Sequence, residues 1–154
     1  MIKEFRGEFG FLSNFWPCSV TVWGFKFPSA EHAYQAAKAK EPSVREQFLQ
    51  GTPGQAKRLG RKIQVRSDWE QIKLEAMKEV VKAKFLQNPS LKRNLLATGT
   101  QELVEGNRWH DGFWGTCLCG KCPQGQNQLG QILMEVRSAL RVKVPMWIRT
   151  EVIE

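Results

Sequence analysis

The apolar and polar positions along the chain predict a mainly helical protein. The clearest pattern covers residues 67–88, where apolar side chains recur at the spacing of one helix face. This stripe consists of Trp69, Ile72, Ala76, Met77, Val80, Val81 and Phe85. Residues 125–141 form a second amphipathic segment. Both segments therefore predict helices that bury one face in a core.

Residues that cap helices predict where the other helices begin. Ser29 precedes the alanine-rich segment 30–40, and we expect its hydroxyl to cap a helix there. A capping box is a polar residue followed three positions later by Glu or Gln. This spacing occurs at Ser43 with Glu46, Thr52 with Gln55 and Ser67 with Glu70. We therefore expect a helix at each pair, and a further short helix over residues 91–98.

β-Structure is expected to be a small part of the fold. Apolar residues alternate with small or polar ones on both sides of Trp23-Gly24, which predicts a hairpin with its turn there. Short strands are also predicted at residues 62–66 and 103–105. The sequence contains neither a GxGxxG nor a GxxxxGK(S/T) phosphate loop, which argues against Rossmann and P-loop enzymes. The expected fold is a single, mainly α domain with a few short β-strands or hairpins.

The charge of the chain indicates an anionic partner. Lys and Arg outnumber Asp and Glu, which gives a formal net charge of +8. A nucleotide, a phosphorylated metabolite or nucleic acid would fit this charge, as would a basic surface that only meets solvent. No window has the roughly 18 apolar residues of a membrane span, and residues 1–10 do not resemble a signal peptide. We therefore expect a cytoplasmic protein without membrane association, whose cysteines stay reduced.

The helix predicted at residues 30–40 carries the first candidate chemistry. Glu31, Gln35 and Lys38 stand at positions i, i+4 and i+7, so they project from one face, which small alanines flank. The first helical turn favours an ionised Glu31, and such a carboxylate could stabilise a developing cation or activate water. The same spacing also occurs on ordinary solvated helix faces. His32 projects about 100° from Glu31, and we interpret it as a structural histidine.

Two tryptophans bracket an acid in the segment NRWHDGFWG, residues 107–115. Asp111 lies between Trp109 and Trp114, and surroundings that exclude water favour the protonated carboxyl, which can then act as an acid or a base near neutrality. The indole rings offer flat surfaces on which a planar base could stack. We therefore predict that this segment borders a ligand site.

The segment GQAKRLGRKIQVR, residues 54–66, supplies a run of basic side chains. Arg58 is a candidate for holding a phosphate through paired hydrogen bonds, with Lys57 beside it. A basic face that only meets solvent would have the same sequence. The charge run alone does not decide between a phosphate site and a solvated surface.

Three cysteines follow the tryptophan-rich segment. His110, Cys117, Cys119 and Cys122 are residue types that bind zinc, but they all lie within thirteen consecutive positions. Structural zinc sites usually join two ligand pairs from separate loops. A catalytic thiol is a further alternative. We therefore predict no metal site, and we interpret these cysteines as ordinary residues of a loop behind the ligand site.

Together, these segments resemble one known family. The matching blocks are FLSNF at 11–15, PSAEHAYQAAK at 28–38, GQAKRLGR at 54–61, SDWEQIKLEAM at 67–77, KFLQNPSLKRNLLATG at 84–99, LVEGNRWHDGFWG at 103–115 and GQNQLGQILMEVR at 125–137. In this order they resemble the NADAR-domain (YbiA-like) family. The resemblance implies a helix-rich domain over residues 1–142 with a C-terminal extension at 143–154, and N-glycosidase chemistry that needs no metal or redox cofactor.

The resemblance also implies which residues form the site. Family site or pocket positions fall on Glu31, Trp69, Asp111, Trp114, Asn14, Lys38 and Asn127. Trp69 would then be partly exposed in a pocket instead of belonging only to the core. Arg58, suggested by the charge pattern, completes the predicted substrate-binding residues.

The family implies hydrolysis of the C1′–N bond between ribose and the exocyclic amine of a planar base. The substrate would be an aminopyrimidine ribose phosphate of the riboflavin pathway or ADP-ribosylated guanine in nucleic acid. Such a reaction needs an anion near C1′ and a proton for the leaving nitrogen. We assign these roles to Glu31 and Asp111 respectively, with the reverse left open, and Lys38 could form a Schiff base with the opened ribose. The alternative to an N-glycosidase is a module that binds ADP-ribose or a nucleotide without turnover. The sequence does not indicate the oligomeric state.

Overall fold

The helices dominate the part of the chain that the computed structural model describes, residues 1–142; the extension predicted at 143–154 lies outside the described residues. The α-helices are α1 (Ala30–Ala36), α2 (Pro42–Arg45), α3 (Pro53–Lys62), α4 (Trp69–Gln87), α5 (Pro89–Ala97) and α6 (Gln128–Arg141), and two short 3-10 helices cover Gly7–Leu12 and Glu46–Phe48. The strands are β1 (Pro17–Val22), β2 (Phe25–Ser29), β3 (Gly106–Asn107) and β4 (Thr116–Cys117). The mainly α fold class with little β-structure is confirmed. Within residues 1–142, no helix combines the length and the apolar character that crossing a membrane requires.

β1 and β2 form the predicted antiparallel hairpin, in which Val20 pairs with Phe27. Trp23 (φ 52°) and Gly24 (φ 83°) both adopt the left-handed backbone that a two-residue turn of type I′ requires. Val20 and Phe27 are fully buried, so the alternation of apolar residues marks the inward face. The prediction of a turn at Trp23-Gly24 is confirmed.

α1 begins where the hairpin ends, and Ser29 caps it as predicted. The Ser29 hydroxyl accepts a hydrogen bond from the His32 amide at 3.2 Å and lies 2.6 Å from His32 Nδ1. His32 Nε2 lies 2.9 Å from the Gly51 carbonyl oxygen, and burial lowers the pKa of this histidine. Both ring nitrogens thus have structural partners. The helix ends at Ala36, earlier than predicted, so Lys38 follows it in a turn.

The capping box of α3 forms as predicted. Thr52 Oγ1 accepts a hydrogen bond from the Gln55 amide at 3.1 Å, and Gln55 Oε1 accepts one from the Thr52 amide at 2.8 Å. The box predicted at Ser43 does not form. α2 begins at Pro42, so Ser43 lies inside that helix instead of before it.

Three further predictions differ from the structure. Ser67 does not cap α4, because Asp68 stands at the capping position and Arg66 donates two hydrogen bonds to its carboxylate, at 2.6 and 3.0 Å. Residues 62–66 do not form a strand, because α3 extends into this segment and the chain then turns towards α4. Residues 103–105 lie beside the N-terminal residues in an isolated bridge instead of a strand.

α4 is the central element of the core. Its apolar stripe packs against α1 and the hairpin, and Val80 and Phe85 are inaccessible to solvent. Lys84 is also buried, and its ammonium group donates a hydrogen bond to the Ser13 carbonyl oxygen at 2.8 Å. Burial lowers the pKa of Lys84 to about 8. This contact fixes the backbone of segment 13–15 against α4.

β3 and β4 form a short parallel pair, and the start of α6 is attached beside it. Asn127 (φ 50°) precedes α6 in a left-handed conformation that asparagine tolerates better than most residues. Its side chain donates a hydrogen bond to the Leu103 carbonyl oxygen and accepts one from the Glu105 amide, both at 2.9 Å. These two bonds attach α6 to the chain that leads into β3.

We predict that Thr52→Ala lowers the free energy of unfolding by about 1 kcal/mol, the usual cost of losing an N-cap side chain. Ser43→Ala is the matched control, because Ser43 lies inside α2 with an exposed side chain. It should change the free energy of unfolding by less than about 0.5 kcal/mol. Urea unfolding followed by circular dichroism measures both. Equal losses in the two variants would mean that α3 does not depend on its capping box.

Candidate active site

A cavity of about 230 Å³ opens between α1, segment 13–15 and the residues around β3. Charged and aromatic side chains line it: Glu31, Glu105, Asp111, Lys38, Lys57 and Trp114. Acids, cations and a flat aromatic surface meet in one space, and titratable groups gathered in a cavity mark a candidate functional site. The cavity is therefore the candidate active site.

Glu31 lies in the wall formed by α1 and is only 7% exposed. Gln35 Nε2 donates a hydrogen bond to Glu31 Oε1, and the Glu31 amide donates one to the Asn14 carbonyl oxygen, both at 2.9 Å. Burial raises the pKa of this carboxyl, although the Gln35 bond and the ammonium groups of Lys57 and Lys38 oppose the rise. The buried position favours the protonated acid, in contrast to the ionised carboxylate expected from the helix start.

The position of Gln35 depends on a glycine in the neighbouring helix. Gln35 Nε2 binds Glu31, whereas Gln35 Oε1 is buried without a hydrogen-bond partner among residues 1–142. A β-carbon at Gly60 of α3 would overlap the Gln35 amide. Gly60 therefore lets α3 approach α1 closely enough to hold Gln35 against Glu31.

Glu105 is a cavity residue that sequence reasoning missed. Burial raises its pKa to about 7, although a hydrogen bond from Asn107 Nδ2 at 3.2 Å opposes the rise. Gly115 packs so closely on this side chain that a β-carbon there would overlap it. A carboxyl with this pKa can donate or accept a proton near neutrality. The available signal was an acid in the same sequence block as Asp111, six positions before it.

Local hydrogen bonds hold Asp111 in the loop between β3 and β4. Its Oδ1 accepts hydrogen bonds from the amides of Phe113 at 3.0 Å and Trp114 at 2.9 Å. Asn107 holds the backbone, because its Nδ2 donates to the Asp111 carbonyl oxygen and its Oδ1 accepts from the Asp111 amide. Two amide donors suit a carboxylate, which only accepts hydrogen bonds. These surroundings differ from the water-excluding ones expected from the neighbouring tryptophans.

Two lysines supply positive charge to the cavity. Burial lowers the pKa of Lys38, although Glu31 opposes this change. Lys57 reaches the cavity from α3, and its ammonium group lies 5.4 Å from the centre of the Trp109 ring. Arg58, the predicted phosphate ligand, is exposed and does not line the cavity, because adjacent helix positions project about 100° apart. Lys57, and not Arg58, is therefore the α3 cation at the cavity.

Trp114 forms an aromatic wall of the cavity together with Tyr34. The two rings meet edge-on, with their centroids 5.4 Å apart. Tyr34, a lining residue that sequence reasoning also missed, packs on its other side against Trp69 at 5.3 Å. Trp69 is only 8% exposed. The expected partial exposure of Trp69 is wrong, because Tyr34 takes the cavity position and leaves Trp69 in the core.

The two asparagines of the predicted site have different places. Asn14 lines the cavity, and its Nδ2 lies 3.4 Å from Met77 Sδ. Asn127 does not line the cavity, because its side chain is engaged with the backbone of Leu103 and Glu105. The predicted residues that the structure brings together are Asn14, Glu31, Lys38, Asp111 and Trp114. Those that it leaves outside the lining are Trp69, Arg58 and Asn127.

A second group of reactive side chains lies outside the cavity lining. The ligand atoms of His110, Cys117, Cys119 and Cys122 are all within 4.8 Å of one another. The prediction of no metal site was based on the spacing of these residues, which all lie within thirteen positions, whereas structural zinc sites usually join two separated ligand pairs. The chain after β4 folds back towards His110, so the four side chains converge in spite of their spacing.

Comparison with known sequences identifies the family. The NADAR domain matches residues 2–141. The chain therefore belongs to the NADAR domain family, as the sequence blocks predicted. Its helix-rich fold is thus that of a NADAR-domain protein.

The similar proteins include one named for riboflavin biosynthesis and one named as an N-glycosidase. A riboflavin biosynthesis protein of Vibrio vulnificus is 46% identical over 139 residues, which cover 88% of this chain and 37% of that protein. The N-glycosidase YbiA of Escherichia coli is 36% identical over 139 residues, which cover 88% of this chain and 84% of that one. The NMR structure of E. coli YbiA has a TM-score of 0.77 at 32% identity, covering 100% of this chain and 88% of that chain.

We predict that Glu105→Gln reduces the pH dependence of stability. Folding raises the pKa of Glu105 from 4.5 to about 7. The protonated carboxyl therefore stabilises the folded state fully below pH 4.5, and this contribution is lost as the pH rises through about 7. The wild-type protein should therefore lose stability relative to Glu105→Gln over this range in urea unfolding. Glu102→Gln, at an exposed position, should keep the wild-type profile. An unaltered profile in Glu105→Gln would contradict the prediction.

Proposed function

We propose that this chain is an N-glycosidase that hydrolyses the C1′–N bond between a ribose and the exocyclic amine of a planar base. The observation that carries the proposal is the meeting of three carboxyl groups, those of Glu31, Glu105 and Asp111, in one cavity. Pairs of carboxyl groups perform most glycoside hydrolysis. The name of the E. coli relative, which aligns over most of its length, supports the same reaction.

Cleavage of the C1′–N bond makes three demands on the site. The bonding electrons leave with nitrogen, so the ribose gains oxocarbenium-like positive charge and the amine must gain a proton. Water then adds its oxygen to C1′ and gives up a proton, and the products are the free ribose and the free amine. The site therefore needs a proton donor, an anion near the ribose and an acceptor for the proton of water.

Glu31 and Asp111 fit the first two roles. Burial raises the pKa of Glu31, which favours the neutral acid that can protonate the leaving amine. Asp111 Oδ1 accepts two backbone hydrogen bonds, and Oδ2 has no hydrogen-bond partner among residues 1–142, which leaves it available to the ribose cation. These roles reverse the assignment made from the sequence, in which Glu31 was the anion and Asp111 the acid.

Glu105 fits the third role, as the acceptor for the proton of water. A pKa of about 7 allows this carboxyl to exchange protons near neutrality. Asn107 Nδ2 donates both to Glu105 Oε2 and to the Asp111 carbonyl oxygen, at 3.2 and 2.9 Å. The Asn107 side chain thus holds Glu105 close to Asp111. A water molecule beside Glu105 could then give its proton to this carboxylate while its oxygen attacks the ribose cation near Asp111.

Lys38 offers a second route through a covalent intermediate. Burial lowers the pKa of its ammonium group, which increases the share of neutral amine. If the ribose ring opens to an iminium at C1′, this amine adds to C1′ and the leaving amine departs with a proton. Water then hydrolyses the Schiff base and restores the lysine. Borohydride reduction would trap this intermediate on Lys38, whereas direct hydrolysis gives no adduct.

The proposed substrate is an aminopyrimidine ribose phosphate of the riboflavin pathway. The cavity of about 230 Å³ is smaller than the roughly 300–1,000 Å³ of common ligand cavities, which favours a monocyclic base. Lys57 supplies a cation for the phosphate. The name of the V. vulnificus relative, of which this chain spans 37%, supports the same pathway.

ADP-ribosylated guanine in nucleic acid is the second candidate substrate. The net charge of +8 favours an extended anion. Two exposed aromatic rings also favour it, because unpaired bases stack on such rings. Phe15 borders the cavity, and Trp109 packs beside Lys57.

We predict that Glu31→Gln and Asp111→Asn each lower kcat by about 100- to 10,000-fold, the range expected when an acid–base group is removed. The assay incubates the protein with each substrate and quantifies ribose 5-phosphate or ADP-ribose, and we expect ribose 5-phosphate from the aminopyrimidine. Glu102→Gln should retain full activity. Full activity in either cavity variant would overturn the assigned roles. Tight binding of either substrate without product would instead identify a non-catalytic binding module.

We predict that Lys57→Ala raises KM for the phosphorylated substrate by about 10- to 100-fold, the value of a lost hydrogen bond to a charged group. Arg58→Ala is the matched control, since it removes the same charge one position away, outside the cavity lining. Its KM should stay near the wild-type value. A larger effect in Arg58→Ala than in Lys57→Ala would place the phosphate on the other face of α3.

A further inference from the structure

Four metal-binding side chains converge in segment 110–122, outside the cavity. His110 Nδ1 lies 3.1 Å from Cys122 Sγ and 3.4 Å from Cys117 Sγ. Cys119 Sγ lies 3.5 Å from Cys122 Sγ. All four ligand atoms are within 4.8 Å of one another. They therefore surround a single point, and the reaction assigned to the cavity uses none of them.

These separations fit a tetrahedral zinc ion. Zn–S bonds of about 2.3 Å and Zn–N bonds of about 2.0 Å place the ligand atoms of such a site roughly 3.5–3.8 Å apart. In this cluster the shortest separation is 3.1 Å and no separation exceeds 4.8 Å, so the expected ligand–ligand distance falls within the observed range. Three cysteines and one histidine are a common donor set for structural zinc. Thiolates are poor ligands for magnesium and calcium, which prefer oxygen.

The backbone turns these side chains towards one another. Gly120, between Cys119 and Cys122, has φ 83°, a left-handed conformation that glycine adopts without strain. The Lys121 amide donates a hydrogen bond to Cys119 Sγ at 3.4 Å, and such donors support thiolate ligands in metal sites. His110 has φ 66°, which is uncommon for a residue other than glycine. The segment thus has the form of a turn that presents its side chains to a shared centre.

We propose that His110, Cys117, Cys119 and Cys122 bind one zinc ion, which holds the loop that carries Asp111. The protein supplies all four ligands, as in structural zinc sites; catalytic sites keep one position open. His110 directly precedes Asp111, and Cys117 belongs to β4 at the far end of the loop. The ion therefore joins both ends of the loop. The metal site stands on these contacts alone and does not depend on the reaction assigned to the cavity.

Zinc binding in this cluster is a ligand exchange without oxidation. The three thiols lose their protons and bind as thiolates, and His110 binds as a neutral imidazole. Proton release makes the affinity decrease as the pH falls. A disulfide between Cys119 and Cys122 is the competing state, and it would consume an oxidant and remove two of the four ligands. The experiment therefore separates bound zinc from a disulfide.

Metal content tests the proposal directly. The full-length chain is loaded with zinc chloride under reducing conditions, dialysed and analysed by mass spectrometry of the metal. The wild-type protein should retain one zinc per chain, and Cys119→Ser and Cys122→Ser should lose it. Cys18→Ser is the matched control, because Cys18 lies in β1, away from the cluster, and this variant should retain its zinc. Circular dichroism checks that each variant folds.

Two further measurements keep the proposal testable if a cysteine variant does not fold. Cobalt bound to the wild-type chain should give the visible absorption of tetrahedral thiolate coordination, and a chelator should lower the Tm of the wild-type protein and of Cys18→Ser. A wild-type chain that retains no zinc after loading would overturn the proposal, as would full zinc retention in Cys119→Ser. A zinc-free chain two hydrogens lighter than the reduced form would overturn it in favour of the disulfide.

Discussion

Burial of the Glu31 carboxyl is the constraint on which the rest of the site depends. A carboxyl removed from water is costly unless it is protonated or compensated. Compensation comes from two helices, because α1 carries Glu31 and its partner Gln35, and α3 carries Lys57 and the glycine, Gly60, that allows close approach. α1 has only seven residues, all of them buried, and a helix of this length is not stable alone. Packing therefore imposes the geometry of this wall.

The opposite wall of the cavity is built differently. Its two strands have two residues each, so side-chain amides replace the hydrogen bonds of a larger sheet. Asn107 holds Asp111, and Asn127 holds the backbone of Glu105. Apolar burial contributes little to the stability of a wall made of polar contacts and short strands. The stability of this wall therefore depends on the contacts that fix the two ends of its loop. A zinc ion in segment 110–122 would supply such an attachment beside Asp111.

Sequence patterns that involve only neighbouring residues predicted local structure correctly in several places. Features that arise from contacts between distant segments were not predicted. The turn at Trp23-Gly24 and the capping box at Thr52 formed because each involves only neighbouring residues. Ser43 has the same signal as Thr52 and failed, because a proline before it already begins the helix. The burial of Trp69 and the raised pKa of Glu105 both come from packing between segments far apart in the sequence. Hydrophobic periodicity assigns a residue to one face of a helix or strand, but it does not identify the residues from other segments that pack against that face.

Neighbouring charges in the cavity act on the pKa of both Glu31 and Glu105. The charge of Asp111 contributes to the raised pKa of both Glu31 and Glu105, and Glu31 adds to the rise at Glu105. The ammonium group of Lys57 opposes the rise at both glutamates. A substrate phosphate bound to Lys57 would neutralise this opposing charge, so the pKa of Glu31, the assigned proton donor, would rise further. Binding of an anionic substrate would thus itself favour the protonated acid that the leaving amine requires.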